Sequence, residues 1–211
     1  ISGRMILPDR RFVPGTRSRE IELVAARGEY EPASFVVSAL ADIPSLTVTV
    51  SDLHSDRAKI YGSRVDIKVV KCWYQAGTAW ASIRQDKSKR ILTPELLLND
   101  DRLIRVDKEK QENYVKLAFP DGERYVWISD PTEVASTRSM PVDEFPLKDS
   151  PVLLPVDIPA GTNEQFWLTI RVPDDAAPGR YTGTIALATP EKTRSELALV
   201  VHVLPFELLQ P

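Results

Sequence analysis

The chain has 211 residues, with 27 lysines and arginines against 30 aspartates and glutamates, for a net charge of -3. It is long enough to bury a core without disulfides or metal, and its interspersed charges form no basic stripe of the kind a nucleic-acid binder carries. The single cysteine, Cys72, excludes an intrachain disulfide and a cysteine-rich zinc site, and no apolar run approaches the ~20 residues of a membrane span.

The opening Ile-Ser-Gly lacks a signal-peptide pattern and fits a processed protein or an excised piece of a longer one. Seventeen prolines and nine glycines punctuate short apolar segments, which favours many strands over long helices. "REIELVAARGEYEPASFVVSAL" puts Ile21, Leu23 and Ala25 on one face, turns at Arg27-Gly28, and resumes with Phe35, Val37 and Ala39. "LTVTVSDL" groups Leu46, Val48 and Val50, and "RVDIKVVKCWY" sets Val65, Ile67 and Val69 inward with Asp66 and Lys68 outward. Each has the period of two that marks a half-buried strand.

"ILTPELLLNDD" predicts the one helical turn, with Thr93 as N-cap, Pro94 in first position, Glu95 near the positive end, and a stop at Asn99. "YVKLAFPDGERYVWIS" predicts a hairpin turning at Pro-Asp-Gly. Residues 129–155 lack periodicity. They read as a long surface connection between sheets within one domain spanning 1–211, the alternative being a two-lobed chain split there.

The last third is the most regular. "FWLTIRV" buries Phe166, Leu168, Ile170 and Val172. "RYTGTIAL" buries Tyr181, Ile185 and Leu187, with Gly183 on the same face where a neighbour approaches closely. The two read as neighbouring strands joined by a Pro-Gly turn. "SELALVVHVL" adds Leu197, Leu199, Val201 and Val203. The expected fold is all-β: a two-sheet antiparallel sandwich, immunoglobulin-like or jelly-roll-like, with one short helical turn. A weak echo links "IELVAARGEYEPASFVV" to "VDIPAGTNEQFWLTI", both strand, Gly turn with a Glu, strand; similarity among hairpins in general accounts for it.

Catalytic signatures are missing: no G-x-S-x-G elbow, phosphate loop, H-E-x-x-H or EF-hand loop. His54 sits in a turn-like segment. His202, facing opposite to Val201 and Val203, reads as a surface or inter-sheet residue; neither is a candidate base. The densest carboxylate group is Asn99-Asp100-Asp101 with Asp107 nearby. Adjacent strand residues face opposite ways, which suits Asp100 and Asp101 poorly to a glycosidase pair. Calcium at these oxygens is one alternative, and loop hydrogen bonding by Asn and Asp is the favoured one. No catalytic residue, metal site or cofactor is expected. In "CWYQAGTAW", Trp73, Tyr74 and Trp80 are the candidate carbohydrate contacts, because aromatic faces stack on sugar rings. Trp73, in phase with Val65, Ile67 and Val69, also fits as a cap on the core, and Tyr74 and Trp80 fit an inter-domain contact equally well. Trp127 and Trp167 lie within strands, where packing is the default.

"IPAGTNEQFWLTIRVPDDAAPGRYTGTIAL", followed by "LALVVHVLPFELLQP", resembles the N-terminal β-sandwich preceding the barrel in glycoside hydrolase family 123 and related bacterial proteins. "ARGEYEPASFVV" is similar to their first hairpin and "LTPELLLNDDRLIRVD" to a middle segment. The resemblance implies that a (β/α)₈ catalytic domain follows and that the catalytic residues lie in it, so none transfers to this chain. The motif residues Ala160, Gly161, Trp167, Pro173, Pro178, Gly179, Tyr181 and Gly183 are then structural. The expected function is a non-catalytic accessory domain of a bacterial carbohydrate-active protein, with the barrel as partner and a glycan as a further candidate partner. The family's habits favour an extracytoplasmic location, periplasmic or secreted. An autonomous carbohydrate-binding module and a protein–protein adhesion module are the rival readings.

Overall fold

Alternating apolar residues and frequent breakers yield strands throughout a computed structural model that describes residues 5–11, 13, 15, 17–76, 90–129, 144–191 and 194–208. The first five strands are β1 (Glu20–Arg27), β2 (Tyr30–Ser38), β3 (Ile43–Val50), β4 (Leu53–His54) and β5 (Lys59–Ile60). The middle holds β6 (Val65–Ala76), β7 (Arg90–Leu98), β8 (Ile104–Asp107), β9 (Glu112–Phe119) and β10 (Gly122–Trp127). β11 (Val156–Ile158), β12 (Asn163–Arg171), β13 (Gly179–Ala188) and β14 (Arg194–Glu207) complete the set.

One sheet runs β1-β14-β13-β3-β11, with β4 and β5 attached at β13; a second runs β2-β12-β6-β7; a third, small one runs β10-β9-β8. One hydrophobic cluster draws on all three, joining Phe166 and Ile170 of β12, Tyr181 and Ile185 of β13, Leu199 and Val201 of β14, and Val115 and Leu117 of β9. Phe166 stacks on Phe35 of the adjacent β2 with ring centroids 5.2 Å apart. Each such fully buried side chain contributes ~1.5–3 kcal/mol relative to exposure. The chain is all-β. Antiparallel pairing dominates, but β1 lies parallel to β14 at the sheet edge.

The strands on either side of the Pro-Gly turn are not partners. β12 belongs to the second sheet and β13 to the first, so the turn carries the chain across the sandwich. The stretch from β1 to β2 likewise crosses from one sheet to the other, as does that from β11 to β12. The echo in the sequence therefore marks two arches. Gly28 and Gly161 adopt φ of +76° and +75° at the two crossings, a region a side chain disfavours. At the first arch the Gly28 N–H donates to Val172 O, and the Val172 N–H to Glu29 O. At the second, Gly161 N–H donates to Ala39 O, and Ala39 N–H to Thr162 O. Because β2 and β12 pair antiparallel, each arch is fastened to the far end of the other's strand. Period-two patterning locates such strands; which sheet each joins depends on contacts distant in sequence.

The helical turn expected at Thr93 is instead β7. One turn's worth of capping signals is marginal on its own, and the long β6 offers a complete ladder. Pro94, which has no N–H to give, falls opposite Cys72 beside a register shift between Lys71 and Cys72, on an edge strand where proline is tolerated. The 3-10 turns lie elsewhere, at Gly62–Arg64 and Asp101–Leu103. The Pro-Asp-Gly hairpin forms as β9 and β10, with Gly122 opposite Phe119. Gly183 is crowded as expected: a Cβ there would lie 2.9 Å from Leu53 Cγ and 3.1 Å from Asp52 O.

Of the 129–155 connection, residues 130–143 lie outside the described residues. The remainder holds to the body. Asp149 accepts from the Asn99 N–H at 2.8 Å and the Asp100 N–H at 2.9 Å, while Phe145 and Leu153 pack on the core.

Candidate functional site

The inward phase of two core strands ends in charge. Along β6 the series Val65, Ile67, Val69 continues to Lys71, and along β12 the series Ile170, Leu168, Phe166 continues back to Glu164. Phe166 pairs with Val69 and Leu168 with Ile67, so extending that register would bring Glu164 opposite Lys71. These two side chains line a cleft of about 330 Å³ at this end of the sandwich. Asp101 and Arg102 enter from the 3-10 turn, Ile104, Arg105 and Val106 from β8, and Tyr125 from β10. Pro8 closes one side; its segment is held by Asn163, whose N–H donates to Pro8 O at 2.8 Å and whose amide donates to Arg10 O at 2.7 Å.

The electrostatics follow from position. Lys71 pairs with Asp101 at 2.8 Å. Burial pushes the Glu164 carboxyl up to about 8, the Asp101 charge adds to this, and Lys71 opposes it, so Glu164 is mainly protonated at neutral pH. Burial, reinforced by Glu164, raises the Cys72 thiol to about 12, which leaves it a poor nucleophile. Arg105 lies over two tyrosine rings, 4.6 Å from the Tyr114 centroid and 4.5 Å from that of Tyr125. The Tyr125 hydroxyl donates to Arg102 O at 2.5 Å.

Beside the cleft, the Asn99-Asp100-Asp101 group does structural work, matching the loop hydrogen bonding favoured from the sequence. Asn99 donates from its amide to Ser150 O at 2.8 Å. Asp100 caps the 3-10 turn through the Arg102 N–H at 3.0 Å and pairs with Lys116 at 2.7 Å and the Arg102 guanidinium at 3.1 Å. Burial raises the Asp100 carboxyl, but the bonds from Lys116 and Arg102 outweigh it and hold it below its ordinary value. With these oxygens committed to cations, calcium has no natural place on Asp100. Among the described residues no group of three or more His, Cys, Asp or Glu side chains is placed to hold a metal ion.

The aromatic candidates lie further along β6. Trp73 packs against the core, and its indole N–H donates to Glu95 at 2.7 Å. Tyr74 is half-buried, its backbone held by Asn113, which accepts from Tyr74 N–H at 2.9 Å and donates to Tyr74 O at 2.7 Å. Neither lines the cleft, and Trp80 lies outside the described residues. His54 pairs along a strand with Lys59, and His202 contacts Glu22 at 2.7 Å on the surface, far from a nucleophile's needs.

No family model and no curated protein matches the chain. Among solved structures it is similar to a family 123 glycoside hydrolase from Clostridium perfringens, a protein analysed for glycolipid glycan hydrolysis. That match has 15% identity and a TM-score of 0.49, and it covers 91% of this chain and 24% of the hydrolase. It also aligns with AvmM, which catalyses macrocyclization in alchivemycin A biosynthesis, at 10% identity and a TM-score of 0.36, covering 90% of this chain and 88% of that one. The chain thus spans 24% of the hydrolase's length. At these scores neither likeness bears on activity.

Proposed function

We propose that this chain is a non-catalytic β-sandwich domain of a bacterial, extracytoplasmic glycoside hydrolase-like protein, and that it supports a catalytic barrel following it. One observation carries the reading: the motif residues Ala160, Gly161, Pro173, Tyr181 and Gly183, which belong to the stretch resembling the family 123 sandwich, serve the scaffold, and none of these five lines the cleft. Gly161 makes an arch with φ +75°, and the Ala160 N–H donates to Asp42 at 2.8 Å. Pro173 accepts from the Ala176 N–H at 3.1 Å. Tyr181, 1% exposed, donates its hydroxyl to Ala177 O at 2.8 Å, a tyrosine corner of the kind that fastens sandwich folds. Gly183 lets Leu53 approach. A motif made of packing and turn residues specifies a body, and chemistry has to be supplied by another part of the protein.

The codons following Pro211 test this directly. Continuation into a (β/α)₈ barrel of several hundred residues is expected. A stop codon, or entry into an unrelated domain, overturns the reading.

A further inference from the structure

The cleft is lined by four cations, Lys71, Arg102, Arg105 and Lys108, and by two carboxyls, Asp101 and Glu164. Two of the cations are already neutralised, Lys71 by Asp101 at 2.8 Å and Arg102 by Asp100 at 3.1 Å. Among the described residues, Arg105 and Lys108 have no carboxylate in ion-pair contact. Arg105 is also held in place by the rings of Tyr114 and Tyr125, so a bound anion would not have to order it. The cleft therefore has two cations left over for an incoming anion. Guanidinium and ammonium groups in such a position recognise carboxylates through charge-assisted hydrogen bonds. Asp101 retains acceptor capacity beyond its bond to Lys71, and among the described residues Glu164 accepts from the Gln165 backbone but from no side chain. Carboxyls lining a site that also attracts an anion call for hydroxyl partners on the ligand. Leu92, Ile104, Val106 and the Tyr125 ring supply an apolar wall. The volume of about 330 Å³ lies at the small end of the ~300–1,000 Å³ typical of ligand pockets.

We propose that this cleft binds a small polyhydroxylated carboxylate, a sugar acid of monosaccharide size, with Arg105 and Lys108 taking the carboxylate and Asp101 and Glu164 taking hydroxyls. Glu164, mainly protonated at neutral pH, then adds no repelling charge and can donate as well as accept. The inference rests on the cleft alone and holds whether or not the chain serves a barrel. The same chemistry can arrive as a free sugar acid or as the terminal residue of an acidic glycan.

Isothermal titration of the 211-residue chain with glucuronate, galacturonate, N-acetylneuraminate and a glucuronate-terminated oligosaccharide tests it, with glucose and acetate as controls. At least one acidic sugar should bind, and a preference for the oligosaccharide would identify the glycan source. The Arg105→Ala/Lys108→Ala double variant should bind it about tenfold or more weakly while melting as the parent does, since both positions are surface-accessible. Glucose or acetate binding as tightly as the acid would overturn the proposal. So would silence across all four acidic ligands, or full affinity in a folded double variant.

Discussion

Replacing Glu164 with glutamine removes an ionisable group from the inner end of β12 and keeps its shape. In the fold this carboxyl ionises at about 8, against an ordinary 4.5, because burial and then the Asp101 charge disfavour its anion. Lys71 and Cys72 of β6 face it on the other side, with Lys71 favouring the anion. An acid with a raised folded pKa keeps its proton in the native state after the unfolded chain has lost it. Its contribution is therefore intact below pH 4.5 and drains away as pH rises to 8. The linkage slope is at most ~1.4 kcal/mol per pH unit. The cleft is part-open, and solvent reaching the anion reduces the total to ~1–3 kcal/mol across the window. For a chain of this size that corresponds to a melting shift of about 2–12 °C, at ~2–4 °C per kcal/mol. Calorimetric melting of both proteins from about pH 5 to pH 9 reads the effect. The Glu164→Gln variant should match the parent at the acid end and melt progressively higher than the parent toward the alkaline end. Two parallel curves with a constant offset would refute the burial argument for Glu164.

Gly183→Val should lower the urea midpoint by the equivalent of ~1–3 kcal/mol, since the added carbon meets Leu53 and the Asp52 carbonyl; an unchanged midpoint would show that β4 does not seat there. Asn113→Ala leaves the Tyr74 N–H and C=O without the partner they have now and should cost about 2 kcal/mol or more in the same assay. Asp100→Asn breaks the contacts to Lys116 and Arg102 and should cost ~2–4 kcal/mol near neutrality. Asp100 has a depressed folded pKa, so its contribution is present above its ordinary 3.8 and lost on acidification. The penalty of this variant should shrink correspondingly in acid, and a penalty independent of pH would remove the ionic explanation.

Strand positions and facing were legible because period-two alternation is local: Ile21, Leu23 and Ala25, or Phe166, Leu168 and Ile170, read correctly from neighbours alone. Pairing was less so. The β13–β14 pairing joins consecutive strands, but nothing local tells β12 that it belongs beside β2 and β6 or β13 that it also joins β3, because those partners lie roughly a hundred or more positions away. Thr93-Pro94-Glu95 shows the opposite failure, where local capping chemistry is genuine but too short to compete with the ladder of β6. The cleft did leave a trace. Lys71 and Glu164 are charged residues at the inward phase of otherwise apolar strands, a mismatch that marks the end of a core or a site. Arg105 left none, since an arginine in a strand gains meaning only when Tyr114 and Tyr125 close on it.

Under the proposed function this chain is scaffold and does not itself cleave glycosidic bonds. The most direct measurement incubates the purified chain with a panel of aryl-glycosides and oligosaccharides from acid to neutral pH and follows released sugar. No release above buffer is expected. Turnover that co-purifies with the chain and disappears in Glu164→Gln would contradict it and make the cleft a catalytic centre.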